Sequence, residues 1–220
     1  MRTPDGQVTL DEINAEKDLG VWLDRSMKPS LQCNKAAGKA MSALAVIRKT
    51  FTFFDCESFK IVYKVYVRPH MEYCVQAWNP YLVKDIKCLE KVQKRATSLI
   101  PSIARYSYQD RLKILELYSL ERRRERGDLI ETFKILKGLD RVDKEKWFNL
   151  SENVHLRGHE LKLEKPRARL DIRKNVFSHR LINAWNRLPI NITKQETEQG
   201  FKKALDKYWS INGYGYQTCL

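Results

Sequence analysis

The chain has 220 residues, 43% of them hydrophobic and 10% aromatic, enough to bury a core within one good-sized domain or two small ones. Lys and Arg outnumber Asp and Glu 41 to 27, a formal net charge of +14, and that surplus points to a polyanionic partner, with nucleic acid the commonest. Five cysteines with no CxxC pair argue against a zinc ribbon or a secreted disulfide framework, and no apolar run approaches the ~20 residues of a membrane span, so the expectation is reduced thiols in cytoplasm or nucleus, no secretion and no membrane partner.

In chain order, Gln7–Leu10 and Leu19–Leu23 read as two short strands around an acidic turn from Asp11 to Lys17. From Leu31 to about Phe54, apolar residues at Ala36, Ala40, Leu44, Ile47 and Phe51 mark one helix face. Asp55 is placed to cap a second helix, Glu57–Val67, which Pro69 is expected to end. A third helix, Lys84–Ile100, carries Ile86, Leu89, Val92, Ala96 and Leu99 on one side. Lys84, Lys87, Lys91, Lys94 and Arg95 lie on the other. Ser107 to Asp110 resembles a capping box for a short helix to Leu117, and Ser119 can cap the next helix, which runs to Lys137 and stops at Gly138.

Residues 139–158 have weak periodicity and read as a linker or an irregular loop. His159–Leu163 and Arg169–Arg173 then alternate apolar and polar residues around Lys165-Pro166, the pattern of a β-hairpin with one basic face. Asn175 is placed to cap a helix through Trp185, and Thr193–Glu196 matches a capping box before a last helix striped by Phe201, Leu205 and Trp209. Gly200 weakens that last helix by roughly 1 kcal/mol relative to Ala. The expected class is therefore mainly α with small β-hairpins: a hairpin over 1–27, helices over 28–138, a linker over 139–158, a hairpin with two helices over 159–209, and a tail over 210–220.

Chemistry is hard to find. Two-metal nucleotidyl transfer needs carboxylates held across two cations, and the chain has no Asp-Asp pair; Asp11-Glu12 reads as a solvated turn. Gly38-Lys39-Ala40 lacks the hydroxyl of a phosphate-binding loop. His155 and His159 have helical metal-ligand spacing but fall in a loop running into a strand, where a basic surface is the simpler reading. Cys74 and Cys88, beside apolar stripes, read as core thiols. No catalytic residue, metal or cofactor is expected.

The basic clusters say more. The row Lys84, Lys87, Lys91, Lys94 and Arg95 suits a phosphate backbone or a solvated helix face. Arg122, Arg123 and Arg126 belong to the densest run, and Arg122 and Arg126 extend an apolar stripe, so they need an internal carboxylate or a phosphate. Arg167, Arg169, Arg173 and Lys174 would line a basic ribbon that either enters a nucleic-acid groove or covers helices.

Several strings, in order, resemble the part of non-LTR (LINE-type) reverse transcriptases that follows the catalytic palm, as in jockey-like and chicken-repeat-like elements. They are Lys17-Asp18-Leu19-Gly20-Val21, Val67-Arg68-Pro69-His70-Met71-Glu72-Tyr73-Cys74, Gln76-Ala77-Trp78-Asn79-Pro80, and Leu89 to Thr97. Tyr118 to Arg124, Arg126-Gly127-Asp128-Leu129, Phe177-Ser178 with Arg180, and Trp185-Asn186-Arg187-Leu188-Pro189 follow. The resemblance covers about residues 7–209. It implies a primer-grip-like role for Leu19, Gly20 and Val21, a thumb-like bundle over residues 30–138, and a C-terminal segment that binds RNA or target DNA. It also implies that palm, fingers and endonuclease belong to a longer polyprotein, with Met1 inside its reading frame, so the fragment would bind RNA or DNA template–primer and not polymerise alone. A host-adopted basic interaction module and a non-functional remnant are the alternatives.

Overall fold

The computed structural model describes residues 12–151 and 159–212. The expected strand Gln7–Leu10, Asp11 and His155 lie outside them. The described chain is mainly helical, with one two-stranded antiparallel hairpin. β1 (Ala15–Asp18) pairs with β2 (Val21–Asp24), Asp18 opposite Val21. The first strand thus comes from the stretch expected to be the turn, and the turn itself is only Leu19-Gly20. Both turn residues have positive φ, +43° and +91°, the handedness that lets a two-residue loop follow the twist of its strands.

α1 (Ser30–Thr50) presents Cys33, Ala36, Ala40, Leu44 and Ile47 to the core, and its small residues let α5 (Val83–Thr97) pack closely. Between them, α2 (Cys56–Val62) is capped by Asp55, whose carboxylate accepts from the Ser58 N–H at 2.8 Å. The helix does not stop before Pro69 as expected. It widens into a π-turn over Tyr63–Val67, where the Arg68 N–H reaches the Tyr63 carbonyl at 2.9 Å, and resumes as α3 (Pro69–Glu72) with the proline at its first position. The wider turn relieves the clash a proline ring makes with the carbonyl four residues back, and a proline opening a helix has no N–H to leave unbonded. Cys74, at φ +52°, turns the chain into α4 (Val75–Trp78) and is exposed, correcting its reading as a core thiol. Cys88 is half-buried against the first core.

α6 (Tyr108–Ile114) and α7 (Leu120–Leu136) begin at Ser107 and Ser119, whose hydroxyls accept from backbone N–H groups three residues on, at 3.2 Å each. α7 ends at Gly138, φ +68°, as its sequence anticipates. It spans two cores: Leu120 belongs to the first, with α1–α6, whereas Leu129, Ile130, Phe133 and Ile135 belong to a second. The expected boundary at 138 therefore falls on no gap in packing. Of the expected linker or irregular loop, the described residues 139–151 are irregular but packed: Phe148 is buried in the second core, and Trp147 and Phe148 both meet the Phe177 ring edge-on.

The expected second hairpin does not form. Leu163 makes a single antiparallel bridge to Leu150, and the Asn186 side chain accepts from the Leu163 N–H (2.9 Å) and donates to its carbonyl (2.8 Å). The Trp185 indole donates to the Leu161 carbonyl at 2.7 Å. With those groups satisfied, and Pro166 unable to donate, no ladder to 169–173 is needed. Residues Asp171–Lys174 form α8 instead, with Asp171 in the first turn and Lys174 on its carboxylate at 2.8 Å. Asn175 ends α8 rather than capping a helix.

Short helices α9 (Phe177–Arg180), α10 (Ile182–Asn186) and α11 (Ile190–Thr193) follow. α12 (Glu198–Ile211) is capped by Thr197, not Thr193, which is buried at the end of α11. A Cβ at Gly200 would sit 2.7 Å from the Gln195 amide oxygen, the end of a flexible side chain that can swing aside. Phe201 stacks on Phe133, centroids 4.4 Å apart, closing α12 onto α7.

Candidate nucleic-acid interface

α5 is the best-separated amphipathic element. Leu89, Val92, Gln93, Ala96 and Thr97 are buried, while Lys84, Lys87, Lys91, Lys94 and Arg95 are all exposed. Eleven steps of 1.5 Å from Lys84 to Arg95 make this row roughly 16 Å long. Among the described residues none of its five cations forms an ion pair, so they remain free to meet an external anion. The helix is held from beneath. At its start the buried Asp85 carboxylate accepts from the Ser30 hydroxyl at 2.7 Å. Farther along, the Gln93 amide accepts from Tyr63 (2.5 Å) and donates to the Tyr108 hydroxyl (3.1 Å) and the Tyr118 carbonyl (3.0 Å). Glu90, 8% exposed, accepts from the Tyr108 hydroxyl at 2.5 Å and the Leu120 N–H at 3.2 Å. Burial raises its pKa above the ordinary carboxylate range and these donors oppose that rise. Between α5 and α6 opens a cleft of about 800 Å³, lined by Lys87, Lys91, Lys94, Arg95 and Arg111 among others.

α7 carries as many cations, most of them arginines, and is opposite in design. Arg123 forks onto Glu72, with Nη2 to Oε2 at 2.8 Å. Arg126 forks onto Asp206 at 2.7 and 2.8 Å, and Arg122 meets Glu125 at 2.5 Å with its guanidinium 5.7 Å from the Trp209 ring. Of the two partners the sequence allows for these residues, each has an internal carboxylate. Arg124 is buried near Glu90, Glu121 and Asp128, and burial lowers its pKa. Among the described residues the most buried ion pair joins Asp128 to Arg180, 52 residues apart, a partnership that local spacing does not reveal. Asp128 takes both branches of Arg180 at 2.8 Å each, and Arg180 also donates to the Gln76 carbonyl at 3.2 Å. Asn79 donates to the same aspartate at 3.5 Å. Burial nevertheless leaves the Asp128 pKa raised.

The hairpin tip is built differently again. Val21 is 4% exposed and belongs to the first core, whereas Leu19 is 84% exposed in a left-handed conformation that costs a leucine about 1–2 kcal/mol. The Tyr73 hydroxyl holds the tip, donating to the Leu19 carbonyl at 2.9 Å, and its ring packs where a Gly20 Cβ would stand, 3.1 Å away. Lys35 lies 5.1 Å over the Trp22 ring, beside a hollow of about 290 Å³ that Lys17 and His70 also line. Arg167, Arg169, Arg173 and Lys174 are exposed, spread over an extended stretch and α8 rather than gathered on a ribbon.

Sequence reading missed Glu90, Tyr108, Arg111, Asp128 and Arg180. Their side-chain partners lie 7 to 104 residues away, and only the resemblance strings, which contain Glu90, Asp128 and Arg180, marked any of the five for more than local helix chemistry. Among the described residues no three His, Cys, Asp or Glu side chains gather as a metal site, and no helix is long and apolar enough to cross a membrane. Burial pushes the Cys33 thiol up to about 12, leaving it protonated and unreactive at neutral pH. No family model, curated protein or solved structure matches the chain.

Proposed function

We propose that this chain is the C-terminal part of a non-LTR retrotransposon reverse transcriptase, binding an RNA or DNA strand along α5 without polymerising on its own. The observation that carries the binding reading is the contrast between helices: five exposed, unpaired cations in one row on α5, against arginines neutralised internally on α7. A phosphodiester backbone supplies the evenly spaced negative charge such a row lacks within the fold. The reverse-transcriptase assignment rests on the ordered strings from Leu19 to Pro189. The absence of an Asp-Asp pair supports binding without chemistry. Two filled hydrophobic cores favour a folded module over a remnant.

The test is a gel-shift series with single-stranded RNA and duplex DNA over a salt titration. Reversing charge at Lys91, Lys94 and Arg95 should weaken binding and flatten its salt dependence while leaving the thermal melt in place. Unchanged affinity and slope would remove α5 as the contact surface. Primer extension by the chain alone would overturn the non-polymerising reading.

A further inference from the structure

The cleft between α5 and α6 differs in kind from the ridge above it. Arg111 lines it at only 5% exposure, yet its bonds are long: Nη1 to the Ala104 carbonyl at 3.5 Å and Nη2 to the Lys94 carbonyl at 3.4 Å. Its Nε is buried with no hydrogen-bond partner, and among the described residues no carboxylate pairs with it. The one acid on the cleft wall, Glu90, already accepts from Tyr108 and Leu120. Exposed Lys87, Lys91, Lys94 and Arg95 ring the opening. A buried guanidinium left short of acceptors, within a concave ring of cations, calls for a compact anion with several free oxygens.

We propose that this cleft is a phosphate-monoester site, with Arg111 at its floor and Lys91 and Arg95 at its rim. A phosphodiester within a strand offers two free oxygens and carries a sugar on either side, which suits a convex ridge. A monoester protrudes alone with three oxygens and a charge near −2, which suits a recess. Its source is the phosphorylated end of a bound strand or free phosphate. The first source deepens the strand-binding reading and rests on it; the second does not.

The experiment uses the full chain and two oligonucleotides of one sequence, ending in 5′-hydroxyl or 5′-phosphate, with inorganic phosphate in a parallel thermal-shift assay. The 5′-phosphate should tighten binding about tenfold, as one or two charge-assisted hydrogen bonds would. Lys91→Gln with Arg95→Gln should abolish that advantage; both positions are exposed, so the fold is kept. Arg111→Lys, which keeps the charge and loses the fork, should reduce it. If neither oligonucleotide binds but phosphate raises the melting temperature of the parent and not of the double variant, the strand reading falls and the cleft stands with free phosphate as ligand. Equal binding of the two ends with no thermal shift overturns the cleft and leaves the ridge. An advantage that survives the double variant also overturns it, by placing the phosphate elsewhere.

Discussion

α5 and α7 carry similar numbers of cations and use them in opposite ways. On α5 the charges stand on the face away from the core, so water solvates them and nothing inside competes. On α7 nearly every face meets another element: the first core on one side, α12 and α9 on others. Its arginines are half-buried or buried and each draws a carboxylate or sits among several. Count and density of basic residues therefore do not locate an interface. The proposed interface rests instead on whether a helix has a face left over after packing, and α5, with one clean apolar stripe, has one.

That comparison can be broken at several points. The largest effect is expected at the Asp128–Arg180 pair, whose side chains are 5% and 12% exposed. Arg180→Ala strands a buried carboxylate and should cost about 3–5 kcal/mol in urea unfolding. A loss below about 1 kcal/mol would mean the joint between the cores is not electrostatic.

Next comes pH, which should separate the two bodies. His159 is 4% exposed; its Nε2 lies 3.1 Å from the Trp185 carbonyl, so that nitrogen donates, and its buried Nδ1 has no partner. Burial lowers its pKa below 6.5, as it does for buried His179. The unfolded chain therefore binds protons first, so stability is full above about pH 6.5 and falls as pH drops toward the folded-state values, by at most about 1.4 kcal/mol per histidine per pH unit. Tryptophan fluorescence on acid titration should report loss around Trp185 before the first core, whose His70 is exposed. His159→Gln should shallow that dependence; a parent whose stability is level from pH 7 to 5 would contradict it.

A smaller loss, about 1 kcal/mol, is expected for Ser119→Ala, which removes the α7 cap at the seam of the cores. The smallest effect has the other sign. Leu19→Asn should raise stability by roughly 0.5–1 kcal/mol, because asparagine tolerates the left-handed turn and the leucine is exposed. If the same change also weakens strand binding, Leu19 is a contact and its strain has a use.

Where neighbours in sequence decide the structure, the sequence was readable. The α5 stripe, the caps at Asp55, Ser107 and Ser119, and the stop at Gly138 all depend on residues within a turn or so of one another. Reading failed where distant partners intervened. Residues 159–163 alternate like a strand but are claimed by Trp185 and Asn186, and 169–173 alternate yet open with an aspartate well placed for a helix start. Pro69 looked like a stop because a widened turn leaves no local mark. At the proposed interface, the α5 row is legible from spacing alone. The cleft below it is not, since Arg111 comes to the α5 wall from α6.

The most direct measurement compares salt slopes for binding to single-stranded RNA in two multiple variants. One neutralises Lys84, Lys87, Lys91, Lys94 and Arg95 to Gln; the other changes Arg122 and Arg126 to Gln together with Glu125→Gln and Asp206→Asn, keeping the pairs balanced. Each lost phosphate contact lowers the slope by about 0.7, so losing all five should cost the α5 variant about 3.5 units and the α7 variant none. Equal slopes in the α5 variant and the parent, or a loss confined to the α7 variant, would contradict the assignment of the grip to α5.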